Sequence, residues 1–84
     1  MKRFYEPKTQ VRVHWLDSKG GPSWSWYSSF KPEVAKCVSL GFVVSHDKDQ
    51  ITIAGHVHDF DKEDFAIDGF MTIPLFAVTK IEPL

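Results

Sequence analysis

Residues 69–84 read Gly69-Phe-Met-Thr-Ile-Pro-Leu-Phe-Ala-Val-Thr-Lys-Ile-Glu-Pro-Leu84. The stretch parses as a strand, a one-turn corner at Pro74 to Ala77, and a short closing strand. Small closed β-barrels end this way. The segment therefore sets the expected fold class: mainly all-β, a five-stranded, strongly bent barrel, with residues 1–84 forming one domain. It says nothing about activity, because folds of this size host many unrelated functions.

The rest of the chain supplies four more strand-like runs. Gln10 to Leu16 alternates Val11, Val13 and Trp15 with Arg12 and His14, the period of a half-buried strand. Asp17-Ser-Lys-Gly-Gly-Pro-Ser23 breaks it. Residues 24–34 fit neither the helical nor the strand period and form a long aromatic connection. Lys31-Pro-Glu-Val34 is positioned to start a helical turn, with Pro32 at its first position. The second strand runs from Ala35 to His46, with Val38, Leu40, Phe42 and Val44 on one face and Cys37, Ser39, Gly41, Val43 and Ser45 on the other. Gly41, in mid-strand, predicts a bend or a close backbone approach. A tight turn at Asp47 to Gln50 leads into a third strand, Gln50 to His58, with Ile51, Ile53 and Val57 inward. An acidic loop covers Asp59 to Asp68. A fourth strand follows from Gly69 to Leu75, and Val78 to Leu84 closes the barrel.

Composition narrows the function classes. The chain has 84 residues, twelve of them aromatic, and one cysteine. A domain this small buries only about 60% of its unfolded surface, so a dense core or self-association is needed. Cys37 alone excludes an intramolecular disulfide framework and a cysteine-based zinc site. The start lacks the apolar region of a signal peptide, and no apolar run reaches the ~20 residues of a membrane span. A cytoplasmic location is the resulting expectation. Net charge is −1, yet residues 1–36 carry +4 and residues 37–84 carry −5. Such a bipolar surface steers charged partners or orders self-association.

Three constellations bear on chemistry. His56 and His58, two apart on a strand, share one face and have carboxylates nearby. They are weak metal candidates, since an exposed strand face reads the same way. The loop from Asp59 to Asp68 lacks the spacing of an EF-hand. Its Phe60, Phe65 and Ile67 are expected to tuck against the barrel end, and its five carboxylates oppose nucleic acid. The third is Trp24, Trp26, Tyr27 and Phe30, interleaved with Ser23, Ser25, Ser28 and Ser29. Tryptophan and tyrosine bury large area with few rotors, so they dominate binding hot spots. The same residues also serve to cap a barrel mouth. Trp15 reads as core, and Trp24 with Trp26 as the better surface pair. No nucleophile–base set, phosphate loop or cofactor motif is present, so an enzyme is not expected.

The strand order, long loop, bent strand and one-turn corner resemble the Sm-like and Src-homology-type small barrels. The Sm RNA-contacting loop motifs are not evident. Sm-like barrels form rings by pairing their fourth and fifth strands between subunits, which implies a seam near Phe70, Thr72 and Lys80. The segments Val13-His-Trp-Leu-Asp17, Cys37-Val-Ser-Leu-Gly-Phe42, Met71-Thr-Ile-Pro74 and Ile81-Glu-Pro-Leu84, with Trp24 or Trp26, resemble short uncharacterised proteins encoded by bacteriophages and prophages. That resemblance implies a non-catalytic accessory protein. It would dock on a host protein, or on copies of itself, through the Trp/Ser loop and a barrel edge. A second expectation is sequestration of a small nucleotide signal to counter host defence. Aromatics would stack the base, and Arg3, Lys8, Arg12, Lys19 or Lys31 would hold phosphates. A nucleic-acid-binding barrel is the third.

Overall fold

The computed structural model describes residues 4–21 and 23–84. Arg3, one of the candidate phosphate-holding cations, and Pro22 of the first break lie outside the described residues. Five antiparallel strands form one sheet: β1 (Gln10–Asp17), β2 (Ala35–His46), β3 (Gln50–His58), β4 (Ala66–Pro74) and β5 (Val78–Pro83). Their spatial order is β4-β3-β2-β1-β5. Short 3₁₀ turns occur at Tyr27–Ser29 and at Leu75–Ala77. Among the described residues no helix is long and apolar enough to cross a membrane.

The sheet differs from the expected closed barrel. It stays open, with β4 and β5 as its two edges. Pro74 ends β4 and Pro83 ends β5. Neither supplies an N–H where a closing ladder would begin, and proline confines a strand to an edge.

Val11, Val13, Val43, Ile51, Ile53 and Ile73 form the core. Tyr5, Trp15, Leu75, Ala77, Val78 and Ile81 pack around it. The alternation in β1 and β3 thus points Val11, Val13, Ile51 and Ile53 inward, whereas Val57 lies outside the core and Thr52 and Ala54 on the opposite face of β3 are buried as well. The core sits at one end of the sheet because β2 pairs with β3 only over Phe42 to His46, with a bulge between Val43 and Ser45. Before Phe42, β2 pairs only with β1. Beyond Ala54, β3 pairs only with β4. The two ladders therefore part from a common hub as two arms, and the molecule extends over 56 × 31 × 20 Å.

Gly41 lies where the ladders part. A Cβ there would come within 2.9 Å of the Ala54 carbonyl oxygen and 3.1 Å of Ile53 Cβ. The close approach predicted from its mid-strand position is what the backbone makes.

Two local expectations change, and the inward face of β2, which alternation left open, is decided. The helical turn forms at Tyr27–Ser29 and not from Lys31, and residues 30–34 have no regular structure. Lys31 would be the cap before Pro32, and its side chain has no oxygen to accept the freed N–H groups of a first turn. The fourth strand begins at Ala66, because Ala66, Ile67 and Asp68 find partners in His58, Val57 and His56. In the first half of β2, Val38 and Leu40 are 58% and 59% exposed, whereas Val43 is buried. The larger side chains of that half point outward, and the small ones, Cys37, Ser39 and Gly41, lie on the core side. Trp15 needs that room: its indole N–H donates to Ser39 Oγ at 3.0 Å.

Candidate functional site

The connection between β1 and β2 stands away from the core. Its stems are tied by Lys19 Nζ and Glu33 Oε1, 2.9 Å apart and both in solvent. Its tip is turned by Ser29, whose N–H donates to the Trp26 carbonyl at 3.1 Å. Nothing in the core covers the aromatics of this loop. Trp24 is 100% exposed, Tyr27 98%, Trp26 83% and Phe30 60%. The capping alternative therefore fails for these four, while half-buried Trp15 packs against the core.

The loop encloses an open cleft of about 580 Å³, bordered by Lys19, Ser25, Trp26, Ser29, Phe30 and Lys31 among others. Trp24 borders an adjoining hollow of about 500 Å³, and Gly21 and Ser25 line both. Of the candidate cations, Lys19 and Lys31 join the aromatics. Arg12 does not line the cleft. It sits on the outer face of β1, 3.5 Å from Glu82. Lys8 is also elsewhere: its Nζ lies over the rings of Phe60 and Phe65 and donates to the Lys62 carbonyl at 2.9 Å. That contact folds the acidic loop back on the sheet, where Phe60 meets Phe42 edge to face. Phe65 and Ile67 are half-buried, as expected, while Phe60 remains mostly exposed.

His56 and His58 both face solvent on the β3–β4 arm. His58 Nδ1 is 3.6 Å from Asp59. Among the described residues no three His, Cys, Asp or Glu side chains gather as a metal site would require.

Two histidine contacts escaped the sequence reading. His14 Nε2 and Glu82 Oε1 are 2.6 Å apart, and Arg12 and Lys80 flank the same carboxylate. The hydrogen bond with His14, and then Lys80, holds the Glu82 carboxyl below its usual range. Alternation on both strands, Arg12/His14 against Lys80/Glu82, was the available signal. At the other end of the sheet, the Tyr5 backbone N–H donates to His46 Nδ1 at 2.9 Å. Tyr5 stacks on the imidazole, and Phe4 meets its edge. Burial holds the His46 pKa below the ordinary histidine value, against a smaller opposing pull from Asp47.

No protein-family model, curated protein or solved structure matches the chain.

Proposed function

We propose that this chain is a non-catalytic docking module of phage accessory type, built on a small-barrel plan of the Sm-like or Src-homology kind. The order β4-β3-β2-β1-β5, the bulge in β2 between Val43 and Ser45 and the 3₁₀ corner before β5 support that architecture. One observation carries the functional reading: four aromatic side chains, two of them tryptophan, stand in solvent on a single loop. Exposing that much apolar area costs solubility, and it recurs where a partner covers it. The serines between the aromatics supply hydrogen bonds at the rim. The partner is a protein of the host cell.

The test is affinity capture from a host lysate with the parent chain and with a Trp24→Ala/Trp26→Ala variant. Loss of a specific partner by the folded variant is expected. Hot-spot tryptophans cost about 2 kcal/mol or more, a weakening of roughly 30-fold. Equal capture by both chains would contradict the reading.

The cleft beside Trp26 favours one alternative. Its volume falls in the range of small-molecule sites, and Lys19 and Lys31 flank an indole and a phenyl ring. A nucleotide signal would stack on the rings and place its phosphates on Lys31, because Lys19 is held by Glu33 in the same cleft. Thermal shift with cyclic and linear nucleotides separates the two readings. Stabilisation by one of them that disappears in Lys31→Ala supports sequestration, and no shift with any of them leaves protein docking.

A further inference from the structure

The outward face of the first half of β2 does not suit a strand that faces water. A one-sided antiparallel sheet alternates apolar inward with polar outward. Val38 and Leu40 reverse that pattern, each more than half exposed, while the small residues between them face the core side. On the same face Phe42 is half-buried with Phe60 packed on it and Ala54 opposite it is buried, so the exposed apolar side chains are Val38 and Leu40, with Phe70 beyond Ala54. An open groove of about 310 Å³ runs beside Leu40, Phe42 and Leu84, and Gln10 is its one polar lining side chain.

The area of the chain states how much is left to cover. It exposes 6899 Å², whereas a compact monomer of 9.6 kDa exposes about 5,100 Å². The excess, about 1,800 Å², is more than twice the ~800 Å² each partner contributes to a standard interface. The aromatic loop and one further contact surface both fit within it.

We propose that the outer face of β2 is the interface of a symmetric dimer, with a second copy of this chain as its occupant. A two-fold axis running along β2 lays β2 upon β2. It also sets the β1/β5 side of one copy over the β3/β4 side of the other. The first side carries Arg12 and Lys80 around Glu82. The second carries Asp68 and the acidic loop that starts at Asp59. Opposite charges therefore meet twice, once on each side of the axis, as an isologous contact requires. Leu40 and Leu84 of each copy enter the groove of the other, and these exposed apolar side chains become the inner layer of a two-sheet sandwich. This surface is separate from the aromatic loop, which stays free in the dimer.

The experiment is sedimentation velocity of the full chain over a dilution series, with Leu40→Lys and Leu40→Met as variants. Circular dichroism reports whether each is folded, and both substitutions fall at an exposed side chain. The parent and Leu40→Met are expected to sediment at twice 9.6 kDa. Leu40→Lys is expected to dissociate, with dimer affinity weakened at least about 100-fold by the buried, unpaired ammonium. A parent chain that is monomeric at every concentration overturns the proposal. So does association that survives Leu40→Lys. If association is lost instead in Trp24→Ala/Trp26→Ala, this face is not the interface, and the aromatic loop mediates the self-contact.

Discussion

His46 shows how one side chain ties the amino-terminal segment to the sheet. Its Nδ1 accepts the Tyr5 N–H, so the contact requires the neutral imidazole. Protonation places a hydrogen on that nitrogen and removes the acceptor. Burial lowers the His46 pKa in the fold, so the unfolded chain takes up the proton first. The stability this contact supplies is complete above the ordinary histidine value and declines as pH falls below about 6.5. The carboxyls of Asp47 and Glu82 are also held low, the first by backbone N–H groups of Asp49 and Gln50. Their contributions survive through that window and are lost only as pH falls into the carboxylate range. Thermal unfolding followed between about pH 7.5 and pH 5.5 should therefore show a falling midpoint in the parent chain and a flatter profile in His46→Phe. An unchanged slope in the variant would assign the pH dependence elsewhere.

Gly41 makes a sharper residue-scale prediction. Its missing Cβ admits the Ala54 carbonyl. Gly41→Val forces that contact apart, and overpacking of this kind costs about 1–3 kcal/mol. Denaturant unfolding measures it, and a variant as stable as the parent would mean that the ladders can part further without penalty. Gly41 was legible because glycine inside an apolar strand has few other uses. The Tyr5–His46 contact was not legible, since it joins residues 41 apart through a backbone donor.

Among the elements, strands were the most readable. Period-2 alternation placed β1 and the core residues Ile51 and Ile53 of β3, although β3 is buried on both faces from Ile51 to Ala54. In β2 both faces carry apolar residues, so alternation leaves open which face turns inward. The packing of Trp15 onto Ser39 decides it. The start of β4 was hidden by the acidic loop, since Ala66, Ile67 and Asp68 read as its continuation until His56 to His58 pair with them. The loop between β1 and β2 was legible in content and not in shape. Its aromatics and serines suited either a contact surface or a cap over the core, and only their exposure separates the two, while the separation of Lys19 and Lys31 from Arg12 depends on where the strands run. The loop carries a prediction about local accessibility. In acrylamide quenching of tryptophan fluorescence, Trp24 and Trp26 should be quenched freely and Trp15 should be the protected one. Equal protection of all three would place the loop against the sheet.

At the scale of the molecule, the open sheet and the split into two arms set what this chain can do. A single small core at the hub leaves both arms with faces in solvent, and the area the chain exposes quantifies that surplus. Composition anticipated the need, because few residues are available to close a core in a chain of this length. Closure was the part that length and pattern could not supply. It depends on whether β4 and β5 meet, and the prolines at their ends keep them edges. The uneven charge of the chain has a structural counterpart: the carboxylate-rich loop joins β3 to β4, whereas Lys19 and Lys31 stand on the loop that joins β1 to β2.

Under the proposed function the aromatic loop serves contact with a partner, and the fold stands without it. Thermal unfolding of the Trp24→Ala/Trp26→Ala chain tests this most directly. Surface substitutions stay within about 0.5 kcal/mol each, so the midpoint should lie within about 4–8 °C of the parent. A fall of more than about 15 °C would mean several kcal/mol of lost packing, and would make the loop part of the core.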